Sequence, residues 1–114
     1  MISSAHRFHG HNSLNYAYQH GKTLHNPKLS LKFVNNQRQQ SYRVAVVVSK
    51  KTSKSAVVRN RIRRRLYEAV RQQKNTIQQP YDIVLTVFDS ELANAPASEI
   101  NKLLADLIHQ AGIK

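Results

Sequence analysis

The first 67 residues of the chain contain 14 lysines and arginines but no aspartate or glutamate. The remaining 47 residues contain four basic and six acidic residues, and the whole chain carries a formal charge of +12. Because six acids cannot pair with so many cations, any fold of this chain must leave part of its surface strongly positive. Such a field favours a polyanionic partner, since bound phosphates neutralise the cations and release counterions.

The length of 114 residues, of which 40% are apolar, suits one compact domain and is too short for two separate cores. We expect a single domain over residues 1–114, in which residues 1–11 form a flexible arm. The chain has no cysteine, which excludes disulfides and thiolate metal sites and is compatible with a reducing cytosol. The longest wholly apolar run, residues 44–48, is too short to span a bilayer. We therefore expect a cytoplasmic protein.

Three segments show strand patterns. Residues 28–34 alternate between apolar and polar side chains, which is the period of a half-buried strand. Residues 42–49 indicate a second, more buried strand, which we expect to pair with the first. Residues 81–88 are apolar on both faces, as is typical of a strand in the middle of a covered sheet.

Two shorter helices are predicted near the chain ends. The first begins at Asn12 as its N-cap and ends at Gly21, and the last begins near Ser98 and ends before Gly112. With the long helix between the second and last strands, the order is helix, two or three strands, helix, strand, helix. This order predicts an α+β sandwich with helices mainly on one face of the sheet.

The long helix begins near Ala56, with Ser55 as its N-cap, and ends before Pro80. Its buried side is marked by apolar residues at helical spacing, namely Val58, Ile62, Leu66, Ala69 and Val70.

Eight of the 18 basic residues lie between positions 50 and 65, in the loop before this helix and in its first turns. At about 100° per residue, Arg59 and Arg63 fall on one side of the apolar stripe and Arg61 on the other, while Arg64 points away from the core. Only Glu68 is close enough along the helix to pair with them. The arrangement is favourable if phosphates supply the missing negative charge, since guanidinium groups bind phosphate oxygens in a bidentate manner.

The segment VRNRIRRRLYE at residues 58–68 resembles the bacterial ribonuclease P protein family, whose hallmark is an Arg-Asn-Arg helix followed by a basic, basic, hydrophobic, Arg-Glu pattern. The strand end VSKK at residues 48–51 is also typical of that family. Further likeness covers most of the chain, with RF at 7–8, YQHG at 18–21 and YDIV at 81–84.

This resemblance implies the family's fold, a single-domain two-layer α+β sandwich of order α-β-β-(β)-α-β-α that is shared with the second domain of a small-subunit ribosomal protein. It also implies the protein subunit of ribonuclease P, which removes the 5′ leader of precursor tRNA by Mg²⁺-dependent endonucleolytic cleavage. The catalytic residues and the Mg²⁺ are then expected in the RNA subunit, and no catalytic or metal-binding residue is expected here. The implied partners are the catalytic RNA, in a 1:1 complex with a monomeric protein, and precursor tRNA, but neither DNA nor a membrane.

The resemblance further implies two sets of contact residues. Those facing the catalytic RNA are Lys50, Lys51, Lys54, Arg59, Asn60, Arg61, Arg64 and Arg65. Those lining a cleft for the single-stranded leader are Leu14, Tyr18, Ser30, Lys32, Arg63 and Tyr67. Leu14 and Lys32 stand where the family often has aromatic residues and Tyr67 where it usually has arginine, so this cleft should depend more on charge and less on stacking.

Other interpretations remain open at this point. A ribosomal or other structural RNA-binding protein would have the basic helix without the leader cleft. A DNA-binding regulator would need a second helix across a tight turn, whereas strands flank the basic helix here. A protein-only endonuclease would need clustered acids, and Asp82, Asp89 and Glu91 fall on a strand end and a connection. The N-terminal histidines lack carboxylate or cysteine partners at metal-binding spacing, so we expect no metal site from His6, His9, His11, His20 and His25.

Overall fold

A computed structural model of the chain describes residues 21–35, 41–73 and 76–113. The predicted N-terminal arm and first helix lie outside the described residues, as do Leu14 and Tyr18 of the predicted cleft. The predicted turn after the first strand also falls mostly outside them, at residues 36–40.

The described elements follow the predicted order. They are β1 (Lys22–His25), β2 (Leu29–Asn35), β3 (Arg43–Val48), α1 (Ala56–Gln72), β4 (Tyr81–Val87), a 3₁₀ helix (Ser90–Ala93) and α2 (Ala97–Ala111). The sequence pattern did not locate β1, because a four-residue strand with Leu24 as its only large aliphatic side chain carries almost no periodic signal.

The four strands form one sheet in the order β1-β2-β4-β3. The expectation that β3 pairs with β2 is wrong, because β4 lies between them, antiparallel to β2 and parallel to β3. Residues 82–85 of β4 are all buried, and a central position covers a strand that is apolar on both faces. Parallel pairing of β3 with β4 requires a crossover connection, which α1 provides.

The helices α1 and α2 pack on one face of the sheet, which we call the helix face. The alternation predicted for β2 is confirmed, since Leu29 and Leu31 are fully buried against the helices. The stripe predicted for α1 is confirmed as well: Val58 is partly buried, and the remaining members, Ile62, Leu66, Ala69 and Val70, are fully covered. From α2, the core receives Ile100, Leu104, Leu107 and Ile108.

The predicted helix ends are also observed. The side chain of Ser55 accepts a hydrogen bond from the Val58 N–H at 3.2 Å, and Gly112 follows α2 with a left-handed φ of 71°. The inclusion of Phe88 in the last strand was wrong. Phe88 follows the end of β4 and is 55% exposed, so the apolar run continues one residue past the strand.

Candidate nucleic-acid interface

The loop before α1 is held at the end of the sheet by its hydroxyl side chains. The Thr52 N–H donates to the Ser49 hydroxyl oxygen at 3.3 Å, and the Thr52 hydroxyl donates to the Val87 carbonyl oxygen at 3.0 Å. The serine and threonine content of this loop therefore has a structural cause, since these groups close a turn and attach it to β4. As a result, three lysines lie exposed beside the start of α1: Lys50, Lys51 and Lys54.

The outer side of α1 carries cations without internal partners. Arg61 and Arg64 are exposed, and neither makes a hydrogen bond or an ion pair with any residue that the structure describes. The same holds, over the described ranges, for the three loop lysines. Five of the residues predicted to face the catalytic RNA therefore present their charge to the surroundings.

Three other arginines of α1, at positions 59, 63 and 65, bind neutral groups of the protein. Arg59 donates from Nη1 to the Ser53 carbonyl oxygen at 2.9 Å, and Arg63 donates to the Oδ1 atom of Asn60. Arg65 donates to two carbonyl oxygens in the segment after β4, those of Leu92, at 2.8 Å, and Ala95. Because these acceptors carry no charge, the bonds orient the guanidinium groups without neutralising them.

Glu68, the acid predicted to be nearest to these arginines, is engaged further along the helix. Its Oε1 atom lies 2.6 Å from Nη2 of Arg71, and the Gln72 amide donates to the same oxygen at 3.2 Å. The hydrogen bonds from Arg71 hold the pKa of Glu68 at about 2, well below its ordinary value of 4.5. The only acid of α1 is thus ionised and paired with the arginine of the last turn, leaving the cations at 61 and 64 unneutralised.

The face of the sheet opposite the helices, which we call the far face, is mapped by the strand register. Ser30 and Lys32 alternate with the buried leucines of β2 and therefore belong to this face. Lys32 of β2 pairs with Val84 of β4, which in turn pairs with Ala45 of β3. Val84 and Ala45 are buried and have small side chains. The register places His25, Thr86 and Val47 in the row that contains Ser30.

The far face is closed at one end by a buried ion pair between adjacent strands. Arg43 donates from Nε and Nη2 to the two carboxylate oxygens of Asp82, each at 2.9 Å, and Asp82 is only 1% exposed. This bidentate geometry compensates the cost of burying the carboxylate.

The predicted leader contacts are distributed over two places. Ser30 and Lys32 lie on β2, whereas Tyr67 lies beside β3, where its hydroxyl accepts a hydrogen bond from the Val46 N–H at 3.4 Å. Arg63 is one turn earlier on the same side of α1. Ser30 and Lys32 lie on the far face, α1 packs on the helix face, and β4 separates β2 from β3, so the structure does not bring these two pairs into contact. The leader assignment stays a prediction.

A groove lies between α1 and α2, and the sequence pattern does not predict it. The groove has a volume of about 440 Å³ and is lined by Arg61, Arg64, Arg65, Glu68, Ala69, Gln72, Ala97, Ile100 and Asn101. The residues that α2 contributes to this groove could not be identified from the sequence pattern. Ala97 and Asn101 are ordinary residues for an exposed helix edge, and only the packing of α2 beside α1 makes them line a groove.

The described part of the chain has no group of three or more histidine, cysteine, aspartate or glutamate side chains that could hold a metal ion. Among these same residues, no helix is both long enough and apolar enough to cross a membrane.

Together, these features define a small basic α+β domain whose exposed helix cations are suited to a polyanion. The family model for ribonuclease P matches residues 2–112. The chain is 37% identical over 93 residues to the ribonuclease P protein component of Chloroflexus aurantiacus, covering 82% of this chain and 67% of that protein. It is 32% identical over 115 residues to the protein component of Synechococcus elongatus, covering 98% and 94%. The chain belongs to the ribonuclease P protein family.

Solved structures confirm the predicted fold class. The ribonuclease P protein of Staphylococcus aureus superposes with a TM-score of 0.82 at 23% identity, covering 95% of this chain and 96% of that one. The ribonuclease P protein of Thermotoga maritima gives a TM-score of 0.80, also at 23% identity, with 91% and 96% covered.

Proposed function

We propose that this chain, a ribonuclease P protein subunit from a family that acts in tRNA processing, binds the catalytic RNA through α1 and the loop before it. The observation that carries the proposal is the set of exposed cations without acidic partners among the described residues, chiefly Arg61 and Arg64. An RNA backbone supplies the phosphates that these side chains lack, and it does so along a line that a helix edge can follow.

The cleavage chemistry, in this proposal, resides in the RNA subunit, where phosphate oxygens hold Mg²⁺. The surroundings of three of the six acids support that division. Asp82 is buried against Arg43, Glu68 is paired with Arg71, and Glu99 accepts a hydrogen bond from Lys28 at 3.0 Å. Carboxylates engaged in this way are poorly placed to share a catalytic metal ion.

The far face is proposed to take the single-stranded 5′ leader of precursor tRNA. Its floor at Val84 and Ala45 has no bulky side chain, and the width of about 10 Å between β2 and the edge at β3 suits one unpaired strand. Lys32 and Ser30, both half-buried on β2, can contact the leader's phosphates and sugars, which are the same whatever the base.

The test is a reconstitution with transcribed ribonuclease P RNA at low Mg²⁺. We expect the protein to raise the affinity of the complex for precursor tRNA above that for mature tRNA, with a ratio near one when the protein is omitted. The titration should end at one protein per RNA, as expected for a monomer in a cytoplasmic ribonucleoprotein. Equal affinities for the two tRNAs would refute the leader assignment, and no association with the RNA at moderate ionic strength would refute the whole proposal.

A matched pair of variants locates the leader. Lys32→Ala removes a cation from the far face, whereas Lys22→Ala removes one from the adjacent strand, where the register pairs Lys22 with Phe33 and not with the far-face row. We expect only Lys32→Ala to reduce the preference for precursor tRNA. Equal losses from both variants would mean that general charge, and not the far face, attracts the leader.

A further inference from the structure

The groove between α1 and α2 combines an apolar floor with a cationic border. Ala69 and Ile100 are buried at its floor, Ala97 and Asn101 form the α2 side, and Arg61 stands at the α1 side. Its volume of about 440 Å³ falls in the range of about 300–1,000 Å³ that is usual for small-ligand sites. The groove can therefore accept a flat group of moderate size together with a charged substituent.

The charges of the groove are unevenly distributed along α1. Arg61 and Arg64 bring two cations without described partners, while Glu68 stands two turns beyond Arg61, about 10 Å along the axis. Glu68 is paired with Arg71, whose hydrogen bonds lower the pKa of the carboxyl to about 2. An anionic group is therefore attracted to the Arg61 end, whereas at the other end the charges of Glu68 and Arg71 are already paired with each other.

Asn101, on the α2 side of the groove, suits a group that both donates and accepts hydrogen bonds. The Asn101 amide can donate and accept, and such amides pair with the edges of nucleobases. Guanidinium planes also stack on bases, and Arg61 and Arg64 are not fixed by internal hydrogen bonds in the described structure. A nucleotide unites the features that the groove can receive: two apolar faces, a polar edge and one phosphate.

We propose that this groove binds one unpaired nucleotide of the catalytic RNA. The base lies against Ala69, Ala97 and Ile100 with its edge toward Asn101, and its phosphate is bound by Arg61 and Arg64. This inference rests on the proposed RNA-binding role of α1 and extends the interface to α2. A base held in a double helix cannot enter, since its faces are already stacked and its edge is paired.

The test fills the groove without changing charge. Ala97→Trp places an indole at a lining position, and Ser98→Trp places the same indole at the next residue of α2, which is exposed but does not line the groove. We expect Ala97→Trp to weaken binding to transcribed ribonuclease P RNA about tenfold, the value of roughly one lost base-stacking contact. The dependence of binding on salt should be unchanged, and Ser98→Trp should bind within about twofold of the parent, as an indole outside the groove removes no stacking contact.

A second measurement keeps the proposal testable if Ala97→Trp fails to fold. The chain has no cysteine, so Asn101→Cys and Lys102→Cys each provide a single site for a short photo-cross-linker. Asn101 lines the groove and Lys102, next on α2, is exposed outside it. We expect Asn101→Cys to cross-link to a single unpaired nucleotide of the RNA, and Lys102→Cys not to reach that nucleotide.

The outcomes separate this inference from the proposed function. If the parent protein binds the RNA while Ala97→Trp binds equally well, or while cross-links from Asn101→Cys match those from Lys102→Cys, the nucleotide site is refuted and the role of α1 stands. If the parent protein does not bind the RNA, the proposed function fails and the inference falls with it.

Discussion

Arg43 and Arg64 both belong to the acid-free first part of the chain, but they stand in opposite surroundings. Arg43 grips both carboxylate oxygens of the buried Asp82 and is itself only 18% exposed. Arg64 lies exposed on α1 and makes no hydrogen bond or ion pair with a described residue. Position in the fold therefore decides the role of each cation: the one with a buried partner stabilises the sheet, and the one without a described partner is available to a ligand.

Arg65 stands between these two cases. It donates to the carbonyl oxygens of Leu92 and Ala95, so it ties α1 to the segment after β4, yet its charge meets no carboxylate in these bonds. A residue of this kind can support the fold and still contribute to the positive field around α1. The neighbouring residues 64 and 65 therefore offer a direct test of the distinction.

The largest effect is expected where a cation compensates a buried charge. Arg43→Ala leaves the Asp82 carboxylate buried without its ionic partner, so the free energy of unfolding should fall by about 3 kcal/mol. Urea denaturation followed by circular dichroism measures this change. Lys51→Ala, which removes an exposed cation, should change the same quantity by less than about 0.5 kcal/mol.

A double replacement sharpens this prediction. Arg43→Met combined with Asp82→Leu removes both charges and keeps apolar volume, and should recover most of the lost stability. If Arg43→Ala lowers the free energy of unfolding no more than Lys51→Ala does, then the buried ion pair does not stabilise the sheet and the contrast between the two regions is wrong.

Smaller effects are expected at residues 64 and 65, where one replacement should change stability and the other should change RNA binding. Arg65→Ala should lower the free energy of unfolding by about 1.5 kcal/mol, because two carbonyl oxygens lose a charged donor. Arg64→Ala should leave stability within about 0.5 kcal/mol of the parent while reducing the log-log salt slope of RNA binding by about one unit. Denaturation and RNA titrations at several salt concentrations supply the two readouts. A stability loss for Arg64→Ala equal to that of Arg65→Ala would remove the distinction.

The features that the sequence could predict are those set by nearby residues. The alternation of β2, the stripe of α1, the Ser55 cap and the left-handed Gly112 each depend on contacts within a few positions along the chain. The pairing of β3 with β4 could not be predicted in this way, since strand partners are chosen by the burial of the whole sheet. For the same reason the sequence pattern includes Phe88 in the last strand, because the apolar run continues to it although its side chain is exposed in the fold.

In the candidate interface, too, some roles could be predicted from nearby residues and others could not. Helical spacing alone separated Arg61 and Arg64 from the buried stripe, and their exposure follows the prediction. The hydrogen bonds of Arg65 to Leu92 and Ala95 join residues about 30 positions apart through carbonyl oxygens, which every residue possesses. No side-chain pattern predicts a backbone acceptor, so the role of Arg65 in joining α1 to the segment after β4 could be identified only from the structure.

The smallest predicted effect concerns Glu68, whose pairing with Arg71 leaves the cations of residues 61–64 without a counter-charge. Because the pKa of Glu68 falls from 4.5 to about 2 on folding, the carboxylate stabilises the folded state above pH 4.5, and this contribution is lost as the pH falls toward 2. The difference in unfolding midpoint between the parent and Glu68→Gln should therefore be constant above about pH 5 and shrink toward zero near pH 2. Both partners are about 40% exposed, so 1 M salt should reduce the constant difference that is expected above about pH 5. A difference independent of pH would mean that Arg71 does not hold this carboxylate in solution. Glu68 would then be available to Arg64 one turn earlier, and the absence of internal counter-charge around the outer arginines would no longer hold.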